Sequence, residues 1–161
     1  MAKTPIAFEA FFETVPPQDM PAVMHLHENL LKQGCTCEIK EAKSGYVASY
    51  AYGKRVLLNY VFRKKGLVMR IYADCVQQYA DMLAGLPDAM KKAVTKAPNC
   101  RRMEDLSKCN QHCPMGYAFE LDGEHLQKCR YNCFLLLMDE QSTPYLQDIV
   151  QRELDCRKAV A

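Results

Sequence analysis

Residues 18–33 carry apolar side chains at helical spacing. This spacing places the apolar groups on one face of an amphipathic helix. Gly34 follows the last apolar position, and glycine commonly ends a helix because it adopts the left-handed backbone conformation without strain. We therefore predict a helix over residues 18–33. Its apolar face consists of Met20, Val23, Met24, Leu26, Leu30 and Leu31.

Short segments rich in tyrosine, valine and leucine follow this helix, and glycine-containing turns separate them. Such segments are typical of β-strands joined by tight turns, because branched and aromatic side chains favour extended backbone. We therefore predict an antiparallel meander of four strands, at residues 36–41, 46–52, 55–63 and 67–73.

Helical spacing returns after the predicted sheet, at residues 75–84 and 87–97, and again in a closing helix at residues 144–158. Between these helices, Asp122-Gly123 is the two-residue signal for a type I′ hairpin. The order of elements predicts an α+β fold, in which helices pack on one side of an antiparallel sheet and a cysteine-rich hairpin segment binds metal. The chain shows no repeat or linker, so residues 1–161 are predicted to form a single domain.

The composition excludes several classes of protein. The chain has 161 residues, of which 49% are apolar and 25% charged, and a chain of this length can bury a core without covalent cross-links. The formal net charge is +2, so the total charge indicates neither a strongly basic nucleic-acid-binding protein nor an acidic tail. Partners therefore have to be inferred from local patterns.

The cysteine content favours a metal over disulfides. The first residues lack the pattern of a secretory signal, and the longest apolar run, Phe134 to Met138, is too short to cross a bilayer. We therefore predict a cytoplasmic protein without a membrane partner. Thiols stay reduced in that compartment, so the nine cysteines, an odd number, are not interpreted as disulfides by default.

Five of the cysteines lie in one region, where a tetrahedral metal site needs four ligands. A hairpin that turns at Asp122-Gly123 places Gly116 opposite Cys129, and Gly116 is close in sequence to Cys113. Cys113 and Cys129 can therefore share an ion. The five residues are Cys100, Cys109, Cys113, Cys129 and Cys133.

Four of these five form the predicted ligand set. Cys109 joins Cys113 if their segment makes one turn, because residues four apart are then neighbours. Cys133 lies on a run predicted to be extended, roughly 13 Å from Cys129, which is too far for a shared ion. Cys100 lies in a loop and is free to approach. Residues 98–133 are thus predicted to bind zinc through Cys100, Cys109, Cys113 and Cys129, with His112 as a weaker substitute for Cys100.

Cations flank these thiols and favour the thiolate form that binds metal. Four protein ligands close the coordination shell of zinc and leave no position for a catalytic water, so the predicted role is structural. Two alternatives stay open: thiols that never meet, and an iron–sulfur cluster on the same four cysteines. The cations are Arg101, Arg102, Lys108, Lys128 and Arg130.

A second candidate site lies in the predicted sheet. Residues 42–73 contain no acidic residue, and basic residues alternate there with tyrosine and phenylalanine. This pattern can bind a small anionic ligand or nucleic acid, although strands prefer aromatic residues in any case. The binding hypothesis requires the cations to converge on one sheet face or in one pocket. Its residues are Tyr50, Arg55, Tyr60, Arg63, Arg70 and Tyr72.

The cysteine-rich segment resembles a family of small cysteine-containing bacterial proteins of unknown function, found in anaerobic gut bacteria; its sequence is KAPNCRRMEDLSKCNQHCPMGYAFELDGEHLQKCRY. The resemblance extends from Gly45 to Arg157 and includes RKKGLVMRIYAD, a CxxxC pair followed by GY, KCRY and a closing helix. It implies the same four metal ligands and omits Cys133. It implies no activity, because a fold does not assign chemistry.

The sequence therefore predicts a binding module stabilised by structural zinc, and familiar enzyme motifs are missing. Two other functions stay open. One is a thiol or iron–sulfur redox sensor, in which Cys75 or the cysteine cluster reacts with an oxidant. The other is an enzyme acting on a small anionic substrate, which requires Arg55, Arg63 or Arg70 to meet a tyrosine hydroxyl in a pocket.

Overall fold

The computed structural model describes residues 4–160 of the chain and contains an antiparallel sheet of five strands. The first four strands of the chain lie side by side in sequence order, which confirms the predicted four-strand meander. The seventh strand pairs with the fourth and extends the sheet. The fifth and sixth strands form a separate hairpin. The strands are β1 (Thr36–Ala42), β2 (Gly45–Tyr52), β3 (Arg55–Arg63), β4 (Gly66–Ile71), β5 (Tyr117–Leu121), β6 (Glu124–Lys128) and β7 (Leu135–Leu137).

Helices precede and follow the meander, which confirms the predicted α+β class. None of the helices in the described range is both long and apolar enough to cross a membrane. The predicted amphipathic helix and the closing helix are both present. The helices are α1 (Phe8–Phe12), α2 (Met20–Lys32), α3 (Ala80–Leu83), α4 (Asp88–Lys96), α5 (Arg101–Glu104) and α6 (Thr143–Ala159).

The two faces of the five-stranded sheet have different surroundings. Side chains alternate along each strand, so Tyr50 and Tyr60 lie on one face and Arg63 on the other. The first, or inner, face carries α1 and α2: Phe11 stacks on Tyr60 with ring centroids 5.7 Å apart, and His27 Nδ1 lies 2.8 Å from the Tyr50 hydroxyl. The second, or outer, face includes Asn59, Val61, Arg63, Val68 and Arg70.

The closing helix α6 lies beside α2. Its Gln151 side chain exchanges two hydrogen bonds with Gln33, at 2.9 and 3.0 Å, just after α2 ends. The apolar stripe predicted from the sequence is buried, and it extends the core along the inner face. This stripe consists of Leu146, Ile149, Val150 and Leu154.

The hairpin of β5 and β6 turns where the sequence predicts. Asp122 and Gly123 have φ angles of 50° and 80°, and two successive positive φ values are what a type I′ turn requires. The pairing continues in register from this turn to Tyr117 opposite Lys128. The Tyr117 ring packs against Phe134, with centroids 5.9 Å apart, and so joins the hairpin to the core.

Two local predictions need correction. Residues 75–84 form a 3₁₀ turn, Val76–Tyr79, followed by the short α3 rather than one continuous helix. The segment from Cys129 to Cys133 is not extended, because the Cys133 amide donates to the Cys129 carbonyl at 2.9 Å and closes a helical turn. Extended structure begins only at Leu135, where β7 pairs with β4.

Candidate metal centre in a cysteine-lined cleft

The four cysteines predicted to bind metal line a single cleft. The cleft has a volume of about 510 Å³ and lies between the chain that follows α4 and the turn that follows β6. His112, the predicted substitute ligand, lines the same cleft. The structure therefore brings to one place the side chains of Cys100, Cys109, Cys113 and Cys129.

A short antiparallel bridge positions Cys100 and Cys129. Asn99 pairs with Lys128 beyond the end of β6. The Cys100 amide donates to the Gln127 carbonyl at 3.0 Å, and the Cys129 amide donates to the Pro98 carbonyl at 2.9 Å. Because side chains alternate across such a ribbon, Cys100 and Cys129 lie on the same face of it, opposite to the face of the bridging pair.

Two hydrogen-bond donors point at these sulfur atoms. The Gly116 amide donates to Cys100 Sγ at 3.2 Å, and the Asn132 side-chain amide donates to Cys129 Sγ at 3.4 Å. Ligands of metal sites are commonly held by outer hydrogen bonds of this kind. Cys100 and Cys129 thus have a local environment that suits metal ligands.

The other two cysteines lie on the segment that crosses the cleft between α5 and β5. The Cys113 amide donates to the Asn110 carbonyl at 3.1 Å, and the His112 amide donates to the Asn110 side chain at 2.9 Å. These bonds close a tight turn over residues 110–113, directly after Cys109. Arg102 hydrogen-bonds the Cys113 carbonyl and attaches this turn to α5.

The four thiols do not form a closed metal site in this arrangement. Among residues 4–160, no three histidine, cysteine or acidic side chains are placed so that they could hold one metal ion. A zinc site needs four ligands with Zn–S bonds of about 2.3 Å. The structure thus gives the thiols a common cleft, but it does not show the coordination geometry predicted for the hairpin segment.

Cys133 stays outside the cleft for a reason other than the predicted one. The expected distance from Cys129 assumed an extended chain, whereas the two residues are joined by one helical turn. The Cys133 side chain instead points into the core and is 0% exposed. Burial raises the pKa of this thiol to about 12, so it stays protonated and binds metal poorly.

The cations beside the thiols have different partners. Arg101 and Arg130 line the cleft. The ammonium group of Lys128 is buried and donates to the carbonyls of Thr95 and Ala97, at 2.6 and 2.9 Å. Lys128 therefore mainly holds the end of α4.

The six residues of the second candidate site do not share one surface. Tyr50 and Tyr60 are both 0% exposed on the inner face, beneath α1 and α2. Arg55 forms an ion pair with Asp74 at 2.6 Å. Tyr50 and Tyr60 are therefore core residues, whereas the Arg55 side chain is 67% exposed and its guanidinium is engaged by the ion pair with Asp74.

The remaining three residues of that site lie on the outer face. Arg63 is exposed, and the Arg70 Nε donates to the Tyr131 carbonyl at 2.7 Å. The Tyr72 hydroxyl accepts a hydrogen bond from the Asn59 side chain at 3.2 Å. Within residues 4–160, none of the three predicted arginines hydrogen-bonds a tyrosine hydroxyl.

A disulfide joins Cys75 and Cys156, whose Cα atoms lie 6.4 Å apart. The default interpretation of all nine cysteines as reduced thiols is corrected at this pair. The two residues are separated by 81 positions in sequence, and no local pattern pairs residues at that distance. Their proximity follows only from the packing of α6 against the turn after β4.

Asp74, next to Cys75, accepts hydrogen bonds from three arginines. Its carboxylate oxygens lie 2.6 Å from Arg55, 2.7 Å from Arg130 and 3.3 Å from Arg157. The side chains of Arg130 and Arg157 are only 10% and 5% exposed, so their charges depend on this carboxylate. Asp74 carries no signal in the sequence, because its partners come from three separate segments.

Glu153 is fully buried on α6 and completes this charged cluster. Its carboxylate accepts hydrogen bonds from the Tyr79 hydroxyl at 2.7 Å, the Cys75 amide at 2.9 Å and the Arg157 guanidinium at 2.8 Å. Burial and this carboxylate raise the pKa of Tyr79, which keeps the hydroxyl protonated as a donor. The sequence does contain a signal for Glu153. This residue precedes Leu154 in the apolar stripe of α6, and a carboxylate at a buried position needs hydrogen-bond donors.

No model of a known protein family matches the chain, and neither a curated protein nor a solved structure matches it. The assignment of function therefore depends on the residues and their geometry.

Proposed function

We propose that this protein is a binding module whose cysteine-rich segment is braced by a structural zinc ion. The proposed ligands are the four cleft cysteines, Cys100, Cys109, Cys113 and Cys129. The observation that carries the proposal is that these four thiols, which come from three segments of the chain, line one cleft.

The burial pattern of the segment supports the proposal. No residue from Arg101 to Gly116 is buried, whereas Cys100 and Tyr117 at its two ends are. Ordering the backbone costs about 1 to 2 kcal/mol per residue, and this segment buries no side chain that would offset that cost. A metal ion held by thiolates supplies folding free energy directly, as it does in small zinc domains.

The chemistry of the proposed site is structural. Zinc held by four thiolates has no open position for water or substrate, and its bound state carries a net negative charge. The Gly116 amide and the side chain of Asn132 donate to two of the sulfur atoms, and Arg101 and Arg130 lie along the cleft. These groups balance the charge that four thiolates bring together.

Elemental analysis of protein purified without oxygen tests this proposal. We expect one zinc per chain, and we expect a chelator to make the segment around Arg101, Arg102 and Lys108 sensitive to trypsin. Cys109→Ser should lose the metal, whereas Cys37→Ala, a change in β1 far from the cleft, should keep it. Iron in place of zinc would support the iron–sulfur alternative, and protein without metal would contradict the site.

For the ligand of this module we propose a nucleotide, free or within single-stranded nucleic acid, bound on the outer face. Arg63 and Arg70 lie on this face, and the terminal guanidinium nitrogens of Arg70 have no protein partner within residues 4–160. Phosphate suits the arginines, and the half-buried ring of Tyr72 on the same face suits stacking of a base.

Binding of a fluorescent oligonucleotide and of AMP tests the outer face. Arg70→Gln should weaken binding about tenfold, the value expected for the loss of one charged hydrogen bond. Lys96→Gln removes the same charge from the exposed side of α4 and should leave the affinity unchanged. Equal effects of the two variants, or no binding at low salt, would contradict this part of the proposal.

A further inference from the structure

We infer that the disulfide between Cys75 and Cys156 sets the affinity of the cysteine cleft for zinc, so that the protein holds zinc tightly when this disulfide is formed and more weakly when it is reduced. The inference rests on the zinc site proposed above and assigns its regulation. It depends on a continuous set of contacts between the disulfide and the cleft.

The first contacts attach the disulfide to a charged cluster. Cys75 directly follows Asp74, and its amide donates to the buried Glu153 carboxylate at 2.9 Å. Glu153 also binds Arg157, and Arg157 reaches Asp74 at 3.3 Å. The disulfide therefore fixes α6, which carries Glu153 and Arg157, against the backbone at Asp74.

Arg130 carries the connection from this cluster to the cleft. One end of its guanidinium donates to Asp74 at 2.7 Å, and the other donates to the Met115 carbonyl at 2.9 Å. Arg130 is only 8% exposed, so both bonds form where water competes little. It also directly follows Cys129, one of the four cleft cysteines.

The last contact reaches a second cleft cysteine. Met115 has a positive φ of 76°, an uncommon backbone conformation for this residue type. This conformation leads into Gly116, whose amide donates to Cys100 Sγ at 3.2 Å. Arg130 thus positions the peptide that holds Cys100, and a shift of Asp74 would disturb the surroundings of Cys100 and Cys129 together.

Chain topology adds a second reason for coupling. The disulfide closes a loop with a sequence separation of 81, and residues 98–133 lie wholly within this loop. Closing the loop reduces the number of conformations of the metal-free segment, so less entropy is lost when zinc orders it. Both effects act in the same direction and favour zinc in the oxidised protein.

The switching step is a thiol–disulfide exchange with a dithiol reductant. The reductant's thiolate attacks one sulfur of the Cys75–Cys156 bond and forms a mixed disulfide, which its second thiol resolves. The protein disulfide breaks and gains two electrons and two protons to become two thiols, while the reductant becomes a disulfide. Zinc itself keeps its oxidation state.

The experiment measures zinc affinity by competition with a coloured chelator, without oxygen. It compares protein in which only Cys75 and Cys156 are oxidised with the double variant Cys75→Ser/Cys156→Ser. We expect the variant to bind zinc about tenfold more weakly, within the usual range of coupling between two sites. Because coupling is reciprocal, zinc should lower the reduction potential of the disulfide in wild-type protein by about 30 mV, the equivalent of tenfold.

Two further variants test the path of coupling, and they also serve if the double variant does not fold. Arg130→Gln keeps the disulfide but breaks the connection, so the potential should respond less to zinc. Lys96→Gln removes a charge from the exposed side of α4, outside the cleft, and should leave the response unchanged. An unchanged response in Arg130→Gln would overturn the path.

The outcomes separate this inference from the proposed function. Zinc that binds equally well with and without the disulfide, and leaves the potential unchanged, would overturn the inference but not the zinc site. Failure of every form of the protein to bind zinc would overturn the zinc site and the inference with it.

Discussion

The Gly116 amide donates a hydrogen bond to Cys100 Sγ at 3.2 Å, and the backbone at Gly116 passes directly against the Lys128 carbonyl. A Cβ at residue 116 would overlap the carbonyl oxygen of Lys128 and lie 3.0 Å from the Cys100 Cβ. The absence of a side chain therefore allows the chain before β5 to approach the bridge beyond β6. This close approach places the amide within reach of the sulfur.

Gly116→Ala should destabilise the protein by about 3 kcal/mol, because a backbone carbonyl cannot move away as a flexible side chain can. Gly123→Ala is the matched control: Gly123 has φ +80° but nothing within 4 Å of its Cβ position. Its cost should be about 1 kcal/mol, the strain of the left-handed conformation alone. Urea denaturation of both variants measures the difference, and equal effects would show that residue 116 is not tightly packed.

A second prediction concerns the two buried tyrosines of the inner face. The Tyr60 hydroxyl is buried and has no hydrogen-bond partner among residues 4–160, whereas the Tyr50 hydroxyl bonds His27 at 2.8 Å. Tyr60→Phe should therefore raise the free energy of unfolding by about 1 kcal/mol, and Tyr50→Phe should lower it by about 1 kcal/mol. Thermal unfolding of the two variants gives the signs, and a loss of stability in Tyr60→Phe would mean that its hydroxyl has an unseen partner.

The meander and the hairpin were predictable because their signals are local. Gly45, Gly53 and Gly66 mark the turns, and each has the positive φ that glycine tolerates best. Asp122-Gly123 fixes both the turn type and the register of β5 and β6. The register that this turn fixes runs from Leu121 opposite Glu124 to Tyr117 opposite Lys128.

Features that depend on contacts between distant segments were not predictable in this way. The apolar run after Cys129 has the composition of a strand, but its first residues form a helical turn that buries Cys133 before β7 begins. Cys75 and Cys156 have no shared pattern, and only the packing of α6 brings them together.

The candidate site shows the same division. The four cysteines that spacing and the hairpin select as ligands line one cleft, and their role as metal ligands stays a prediction. Distances among thiols on a segment without fully buried side chains depend on what holds that segment. The aromatic and basic pattern of β2 to β4 did not reveal that Tyr50 and Tyr60 face the helices while Arg63 and Arg70 face outward. Sheet alternation assigns faces only once the covered face is known.

A third prediction follows from His27. Burial lowers the pKa of His27 below its ordinary value of 6.5, although the carboxylates of Glu9 and Glu28 oppose this effect. Its Nδ1 lies 2.8 Å from the Tyr50 hydroxyl, and its ring stacks on Phe8 with centroids 3.7 Å apart. The folded protein therefore favours the neutral ring.

The sign of the pH dependence follows from this preference. Between the lowered pKa and 6.5, the unfolded chain binds more protons at His27 than the folded protein does. The free energy of unfolding should thus be highest above pH 6.5 and fall as the pH is lowered through that value. His27→Gln should reduce this slope in urea titrations at several pH values, whereas His25→Gln, on the exposed side of α2, should keep it.

A fourth prediction concerns the charged cluster at Asp74. Asp74→Asn removes the carboxylate that pairs with the nearly buried guanidinium of Arg130 and leaves Arg157 paired through Glu153, which should cost about 3 kcal/mol. Glu38→Gln breaks the ion pair with Lys40, in which both side chains are about two thirds exposed, at 68% and 69%. That change should cost less than about 0.5 kcal/mol. Chemical denaturation distinguishes the two, and similar small effects would contradict the structural role of Asp74.

The last prediction concerns the rates at which the free thiols react with iodoacetamide in native protein. Cys109 is exposed and should react first, whereas Cys133 is fully buried with a pKa of about 12 and should react only through local unfolding. Peptide mass spectrometry gives the rate at each position. This order should hold without metal, because it depends only on burial and thiolate content.

Zinc should change these rates at the cleft alone. We expect added zinc to slow alkylation of Cys100, Cys109, Cys113 and Cys129 together, since a thiolate bound to metal is a poor nucleophile. Cys37, half-buried in β1, serves as the control and should react at the same rate with and without zinc. An ion shared by all four sulfurs should slow the alkylation of the four cysteines to the same extent. Protection of Cys109 and Cys113 without Cys100 and Cys129 would instead indicate a partial site on one turn.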